Sequence, residues 1–117
     1  MERLDKIFAN KKPIIGMVHL RPLPGSPLYD PAQMGMKRIL EIAREEAKQL
    51  EDAGVDGVQV ENMWDIPYLQ GEKIGPETVA AIAVGVHEVV NAVSIPVGAE
   101  CHMNGGDKAL ACAVAGG

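Results

Sequence analysis

Residues 13–20 read PIIGMVHL, a short apolar run that follows a charged stretch. Such a run is typical of a β-strand that is buried on both faces. Two further runs have a similar character, DGVQVE at residues 56–61 and IPVGAEC at residues 95–101. These runs predict three strands, and their starts are about 40 residues apart, a little above the spacing of units in an eight-fold barrel.

Helical patterns follow each predicted strand. In the first, Asp30-Pro31 offers an N-cap with proline at the first helical position, and Gly54 is placed to end the helix. The second begins at residues 75–77 (GPE), where proline and a carboxylate suit the first turn. The apolar positions at helical spacing are Met36, Ile39, Leu40, Ala43, Ala47 and Leu50, then Val79, Ile82, Ala83, Val86, Val90 and Val93, and finally Leu110, Ala113 and Val114. This alternation predicts an α/β fold with parallel strands and right-handed crossovers.

Three parallel strands alone leave two open sheet edges and an uncovered inner face. The chain ends at residues 116–117, where a loop into a fourth strand is expected. We therefore predict a single partial domain over residues 1–117 that forms the N-terminal portion of a larger barrel. In the alternative, copies of the chain associate as a homo-oligomer and cover the exposed surface.

The composition narrows the class of protein. The 117 residues are 47% apolar and 23% charged, with a net charge of -5, which is typical of a soluble globular domain. An acidic balance without a basic run argues against a nucleic-acid partner. The sequence shows neither a membrane-spanning stretch nor a secretory signal, so we predict a cytoplasmic protein without a membrane partner. Two cysteines, Cys101 and Cys112, are expected to be reduced thiols.

Strand alternation places polar side chains inside the predicted barrel. In the second strand Val58 and Val60 share one face, which should contact the helices, so Gln59 and Glu61 should point inward. Ligands bind at the carboxyl ends of parallel strands in such folds. The inward-facing candidates near those ends are His19, Glu61, Glu100 and His102.

Three interpretations of this constellation stay open from the residues alone. Crowded carboxylates and imidazoles shift one another's pKa values toward neutrality, which suits general acid–base catalysis. Carboxylate oxygen and imidazole nitrogen also permit a divalent metal, although the spacing identifies no particular ion. The third interpretation is a polar layer whose groups satisfy one another. Two long loops, residues 21–35 and 62–75, carry Tyr29, Trp64 and Tyr68, which either contact a ligand or plug the barrel mouth.

Several blocks of sequence resemble the N-terminal part of the BtpA family. They read GMVHLRPLPGSP (16–27), VENMWDIPY (60–68), IGPETVA (74–80), IPVG (95–98) and ALACAVAGG (109–117). The resemblance implies a TIM (β/α)8 barrel of the ribulose-phosphate-binding type and of about twice this length. This chain would then be its N-terminal three βα units and lack about five C-terminal units. It brings no settled reaction. The family takes its name from a factor needed for photosystem I accumulation, yet its members occur widely in organisms without photosynthesis.

Carried over residue by residue, the resemblance points to His19, Glu61, Asn62, Asp65, Tyr68 and Glu77. Glu100 and the stretch 101–106 fall where family members vary, so His19 and Glu61 have the stronger support. The inward polar groups and the long loops favour an enzyme, a lyase, isomerase or hydrolase of the phosphate-binding barrel type, that acts on a small phosphorylated metabolite such as a sugar or nucleoside phosphate. The alternatives are a non-catalytic assembly or stability factor of the photosystem I biogenesis type, or an inactive truncated barrel.

We assign the residues as follows. His19, Glu61 and Asp65 are the predicted catalytic residues, and the predicted substrate-binding residues are Asn62, Trp64, Tyr68, Glu77, Glu100 and His102. Phosphate sites in these barrels usually follow strands seven and eight, so this chain is expected to hold only the acid–base half of the site.

Overall fold

The computed structural model describes residues 3–10 and 12–117. One parallel sheet contains, in this order, the strands β1 (Ile15–His19), β2 (Gly57–Glu61) and β3 (Val97–Ala99). The helices that follow them are α1 (Met36–Asp52), α2 (Pro76–Ala92) and α3 (Gly106–Gly116), and two short 3-10 turns cover Leu4–Lys6 and Gly71–Lys73. The predicted α/β alternation with parallel pairing is confirmed.

The register brings the carboxyl ends of the strands together. His19 lies opposite Glu61 in the β1–β2 pair, and Val60 lies opposite Ala99 in the β2–β3 pair. Pairing continues one step further, because the backbone N–H of Leu20 donates to the carbonyl oxygen of Glu61 at 2.9 Å. Side chains at these three strand ends are therefore neighbours.

One face of the sheet packs on the helices and forms the core. Val18, Val58 and Val60 of the strands are fully buried there, against Ile82 and Val86 of α2. The predicted orientation of Val58 and Val60 toward the helices agrees with this burial. The opposite face of β1 carries side chains that remain partly open to solvent, Ile15 and Met17. This is the face that was expected to point into a barrel.

Helix α1 begins later than the Asp30-Pro31 signal predicts. Its first residue is Met36, and Gly35 is the N-cap. The Asp30 carboxylate accepts a hydrogen bond from the N–H of Ala32 at 3.0 Å, so it caps an isolated turn. At the other end, Gly54 follows the helix with a φ of +92°, a conformation that glycine adopts at little cost, as expected for its role in ending α1.

The third predicted helix is confirmed as α3, and small residues form its buried side. Leu110 and Val114 are 67% and 77% exposed, whereas Cys112 and Gly116 are buried against α2. The Cys112 thiol donates to the carbonyl oxygen of Val79 at 3.3 Å. A Cβ placed on Gly116 would lie 2.6 Å from Cγ1 of Val86. The small residues therefore let the two helices approach closely, and this contact decides which side of α3 is buried.

Glu51, near the C-terminal end of α1, is hydrogen-bonded to the segment that precedes β3. Its carboxylate accepts hydrogen bonds from the hydroxyl and the backbone N–H of Ser94, at 2.6 and 2.8 Å. These bonds lower the pKa of Glu51, the hydroxyl having the larger effect. Because the folded-state pKa lies below the unfolded one, the stability that Glu51 contributes is present at neutral pH. It is lost as the pH falls through the folded-state value.

We expect Ser94→Ala to raise the pKa of Glu51 toward its ordinary value, since it removes the hydroxyl donor and keeps the backbone one. Side-chain carboxyl shifts followed by NMR during an acid titration would measure this. Ser26→Ala, which removes a hydroxyl far from Glu51, serves as the control. A Glu51 pKa that is the same in wild type and in Ser94→Ala would contradict the assignment.

Candidate functional site

Glu61 is the buried centre of a cluster at the carboxyl ends of the strands. Its side chain is almost inaccessible, and the residue is 2% exposed. Its Oε1 lies 2.8 Å from Nε2 of His19, and its Oε2 lies 3.2 Å from Nε2 of His102. A buried carboxylate requires hydrogen-bonding or charged partners. The two imidazoles, from β1 and from the residues after β3, supply them.

A second carboxylate, Glu100, lies on the other side of His102. Its Oε1 is 3.7 Å from Nδ1 of His102, and its Oε2 accepts a hydrogen bond from Nε2 of Gln59 at 2.6 Å. The structure thus brings His19, Glu61, Glu100 and His102 together, as strand alternation predicts. Their roles stay predictions. Gln59 was expected only to point inward. In the structure its side-chain amide donates a hydrogen bond to the Glu100 carboxylate.

Asn62 and Asp65 join three loops. Asp65 accepts hydrogen bonds through Oδ1 from the N–H of Leu23 at 2.8 Å and through Oδ2 from Nδ2 of Asn62 at 3.3 Å. Oδ1 of Asn62 accepts from the backbone N–H of His102 at 2.8 Å. Both side chains are buried, so these contacts give them a positioning role. Catalysis by Asp65 and substrate contact by Asn62 stay predictions.

Burial raises the pKa of Asp65, although the hydrogen bonds from Leu23 and Asn62 act in the opposite direction. Desolvation has the larger effect, because it disfavours the charged carboxylate. The protonation of Asp65 therefore depends on how far water enters the site around its carboxyl group.

A pocket of about 150 Å³ lies beside this network. Its polar lining includes the side chains of Ser26, Asp65, Thr78 and His102, and its walls are mostly apolar. Ser26 and Thr78 were not among the predicted site residues. Both follow strands along the chain and lie in the PGSP and GPETV stretches, so their position on βα segments is the signal that could have identified them.

The three aromatic residues of the two long loops have different surroundings. Tyr68 lies next to the cluster, because its ring centroid is 5.2 Å from that of His102 and its hydroxyl donates to the carbonyl oxygen of Met63. Trp64 is 45% exposed and lines a separate depression with Met17 and His19. Tyr29 packs against the core, which favours the plugging role for this residue.

Glu77 lies in the first turn of α2, as predicted, and is exposed. Its side chain occupies the space above two glycines, Gly25 and Gly75. A Cβ on Gly25 would lie 2.7 Å from Cγ of Glu77, and a Cβ on Gly75 would overlap the Glu77 carboxylate. The φ of Gly25 is +93°, which also favours glycine. Glu77 thus packs the first loop against α2, and substrate contact stays a prediction.

Cys101 follows β3 and is buried in the core. Burial is the main cause that raises its pKa to about 11. Burial also raises the pKa of Cys112. Both thiols are therefore protonated at neutral pH, and neither is an activated nucleophile.

The arrangement supports two kinds of chemistry. A carboxylate between two partly exposed imidazoles can orient both rings for proton transfer. In addition, Glu61, Glu100 and His102 each offer a ligand atom, and these atoms lie within 4.8 Å of one another. The chain is thus of the α/β class and has a polar site at the carboxyl ends of its parallel strands. In this class the loops that follow the strands usually bind the ligand.

The family model for the BtpA family matches residues 10–117, and the chain belongs to this family. Photosystem I biogenesis protein BtpA of Synechocystis sp. is 38% identical over 112 residues, which is 94% of this chain and 37% of that protein. An uncharacterized protein of Thermococcus kodakarensis is 41% identical over 105 residues, 90% of this chain and 38% of the relative. An uncharacterized protein of Methanocaldococcus jannaschii is 45% identical over 89 residues, 75% of this chain and 32% of the relative.

The chain spans about a third of the length of these curated relatives. No solved structure matches the chain. Within residues 3–10 and 12–117, no helix has the length and apolarity needed to cross a membrane.

Proposed function

We propose that this chain forms the first three βα units of a TIM (β/α)8 barrel of the ribulose-phosphate-binding type, and that the barrel is a cytoplasmic enzyme. The parallel order β1-β2-β3 and the uncovered inner face of β1 support the barrel. The relatives are long enough to supply the remaining units. The reduced thiols Cys101 and Cys112 fit a cytoplasmic location.

The observation that carries the enzymatic proposal is the buried Glu61 carboxylate between two histidines. Because Glu61 is nearly inaccessible, it orients the rings of His19 and His102, and these imidazoles exchange protons with the substrate. His19 presents Nε2 to Glu61, so its Nδ1 is the nitrogen left to act on a substrate, whereas Nδ1 of His102 lies 3.7 Å from Oε1 of Glu100. A carboxylate that fixes the tautomer of an imidazole is an established arrangement for general acid–base catalysis.

We propose a small phosphorylated metabolite, a sugar or nucleoside phosphate, as the substrate. The pocket beside His102 offers the hydroxyls of Ser26 and Thr78 to polar groups and apolar walls to a ring. Among its described lining residues there is no lysine or arginine. The phosphate therefore binds to the part of the barrel that the longer relatives contain, after strands seven and eight.

A ligand screen on the intact chain and on a full-length relative tests this proposal. Sugar phosphates and nucleoside phosphates would be added while Tm is measured. We expect a ligand that raises the Tm of the full-length protein, and we expect Glu61→Gln to abolish this rise. Turnover of that ligand should fall by about 100-fold or more in the variant, since acid–base groups contribute factors of this size.

Glu45→Gln, a change on the outer surface of α1, is the matched control and should leave the response intact. Indifference of the full-length protein to every phosphorylated ligand would count decisively against the enzyme.

A specific observation favours a second candidate, an assembly or stability factor of the kind that the Synechocystis relative's name describes. Leu110 and Val114 form an exposed apolar patch on α3, away from the carboxyl ends of the strands. In this case the double variant Leu110→Ser, Val114→Ser should weaken association, measured by sedimentation, and leave any ligand response unchanged. Equal sedimentation of the variant and wild type would remove the support that this patch gives.

A further inference from the structure

We propose that Glu61, Glu100 and His102 bind one divalent transition-metal ion at the carboxyl ends of the strands. The proposal deepens the function proposed above, because it adds an ion to the same site. Its first support is convergence: one ligand atom from each residue lies within 4.8 Å of the other two. The residues come from the ends of two adjacent strands and from the loop after β3, so the sheet itself fixes their approach.

The two carboxylates are held in the same way, and this is the strongest support. Each has one oxygen on a side-chain nitrogen of the inner face: Glu61 Oε1 on Nε2 of His19, and Glu100 Oε2 on Nε2 of Gln59. Each turns its other oxygen toward the His102 ring, Glu61 Oε2 at 3.2 Å from Nε2 and Glu100 Oε1 at 3.7 Å from Nδ1. Metal-binding carboxylates are commonly oriented by such outer hydrogen bonds. His19 and Gln59 are therefore positioning residues for the two ligands.

The distances require only a small adjustment. Two ligand atoms that share an ion at about 2.1 Å are roughly 3 to 3.4 Å apart in octahedral or tetrahedral geometry. Glu61 Oε2 and His102 Nε2 already have this separation, at 3.2 Å. Oε1 of Glu100 lies near Nδ1 of the same ring, and this 42% exposed side chain completes the ligand set by rotating toward the Nε2 side. His102 would then coordinate through Nε2.

Charge also favours a cation. Within the described part of the chain, the ion-pair partners of Glu61 and Glu100 are histidines. With neutral imidazoles the pair of carboxylates carries two negative charges, which one divalent ion balances. A mixed set of oxygen and imidazole nitrogen suits Zn²⁺, Mn²⁺, Fe²⁺ or Co²⁺ better than Mg²⁺ or Ca²⁺. Cys101 lies between two of the ligands in sequence, but it is buried on the opposite face.

Titration calorimetry on the intact, tag-free chain tests the proposal after treatment with a chelator. We expect Zn²⁺ and Mn²⁺ to bind with one ion per chain and Mg²⁺ to bind more weakly. Glu100→Gln should reduce the affinity by at least about tenfold, and Gln59→Leu by a smaller factor. Glu100 is partly exposed, so its replacement should leave the fold intact, which circular dichroism would verify.

Co²⁺ gives a second readout, because its visible absorption reports imidazole and carboxylate coordination. This spectrum should change in His102→Gln. It should not change in His87→Gln, which removes an exposed histidine of α2. Absence of stoichiometric binding, or equal affinity in wild type and Glu100→Gln, would overturn the metal site.

The metal site and the acid–base enzyme can be contradicted independently of each other. A metabolite response that depends on Glu61 but persists unchanged in chelated protein, without any ion bound, would overturn the metal and leave the acid–base enzyme. Stoichiometric metal binding lost in Glu100→Gln would uphold the metal site even if every metabolite were ignored.

Discussion

Asp65→Ala is expected to lower the free energy of unfolding by about 2 to 3 kcal/mol, because it leaves buried polar groups without partners. The N–H of Leu23 would lose its acceptor, and Nδ2 of Asn62 would lose its partner in the same step. Urea denaturation of the chain would measure the change. Loss of the Leu23 contact should also loosen the first loop, so its amides should exchange faster with deuterated water.

The effect of Asp65→Ala should depend on pH. The folded-state pKa of Asp65 is raised, mainly by burial, so the charged form opposes folding. As the pH falls through the folded-state pKa, the native state takes up a proton before the unfolded state does, and the contribution of Asp65 to stability increases. The difference between wild type and variant should therefore grow as the pH decreases. Asp52→Ala, at the exposed end of α1, is the control. Equal losses in the two variants would contradict the argument.

Gly71→Ala is the second large expected effect. Gly71 is buried where the loop before α2 touches the loop before α3, and a Cβ there would overlap the carbonyl oxygen of Asn104 and lie 2.8 Å from its carbonyl carbon. Backbone atoms cannot rotate away as a side-chain end can. We expect a loss of about 1 to 3 kcal/mol in the free energy of unfolding, as in other overpacked sites.

The displacement should also reach the candidate site, because the two loops are joined beside His102. The N–H of Met103 donates to the carbonyl oxygen of Leu69 at 3.2 Å, and Nδ2 of Asn104 donates to Oε1 of Gln70 at 3.0 Å. NMR signals of the His102 ring should therefore shift in Gly71→Ala. Gly106→Ala is a matched control, since a Cβ at Gly106 would meet no atom within 4 Å. Similar destabilisation by both alanines would refute the close contact.

Much of this fold follows from local pattern. Alternation in β2 predicts that Val60 faces the helices and Glu61 faces away, and the structure agrees because a strand side chain has only two faces available. The start of α1 was wrong because an Asp-Pro pair caps an isolated turn as readily as a helix. The helix α3 was predicted, but its buried face was not, because the small size of Gly116 sets the helix contact and an apolar stripe does not reveal this.

The candidate site was predictable to a similar extent. The convergence of His19, Glu61 and His102 follows from strand ends meeting at one edge. The contacts of Asp65 do not, because its partner Leu23 lies in another loop whose path depends on tertiary packing. The role of Gln59 was missed for a related reason, since its partner Glu100 belongs to the next strand.

The pairing of His19 with Glu61 in register has a consequence for how this segment tolerates insertions and deletions. The β2 sequence GVQVE alternates, so one added or removed residue within it exchanges a valine for a carboxylate on both faces at once. A charged side chain would then enter the apolar core, and the methyl groups of a valine would face the candidate site. Changes of length should therefore accumulate in the loops during evolution, while the five residues of β2 keep a fixed count.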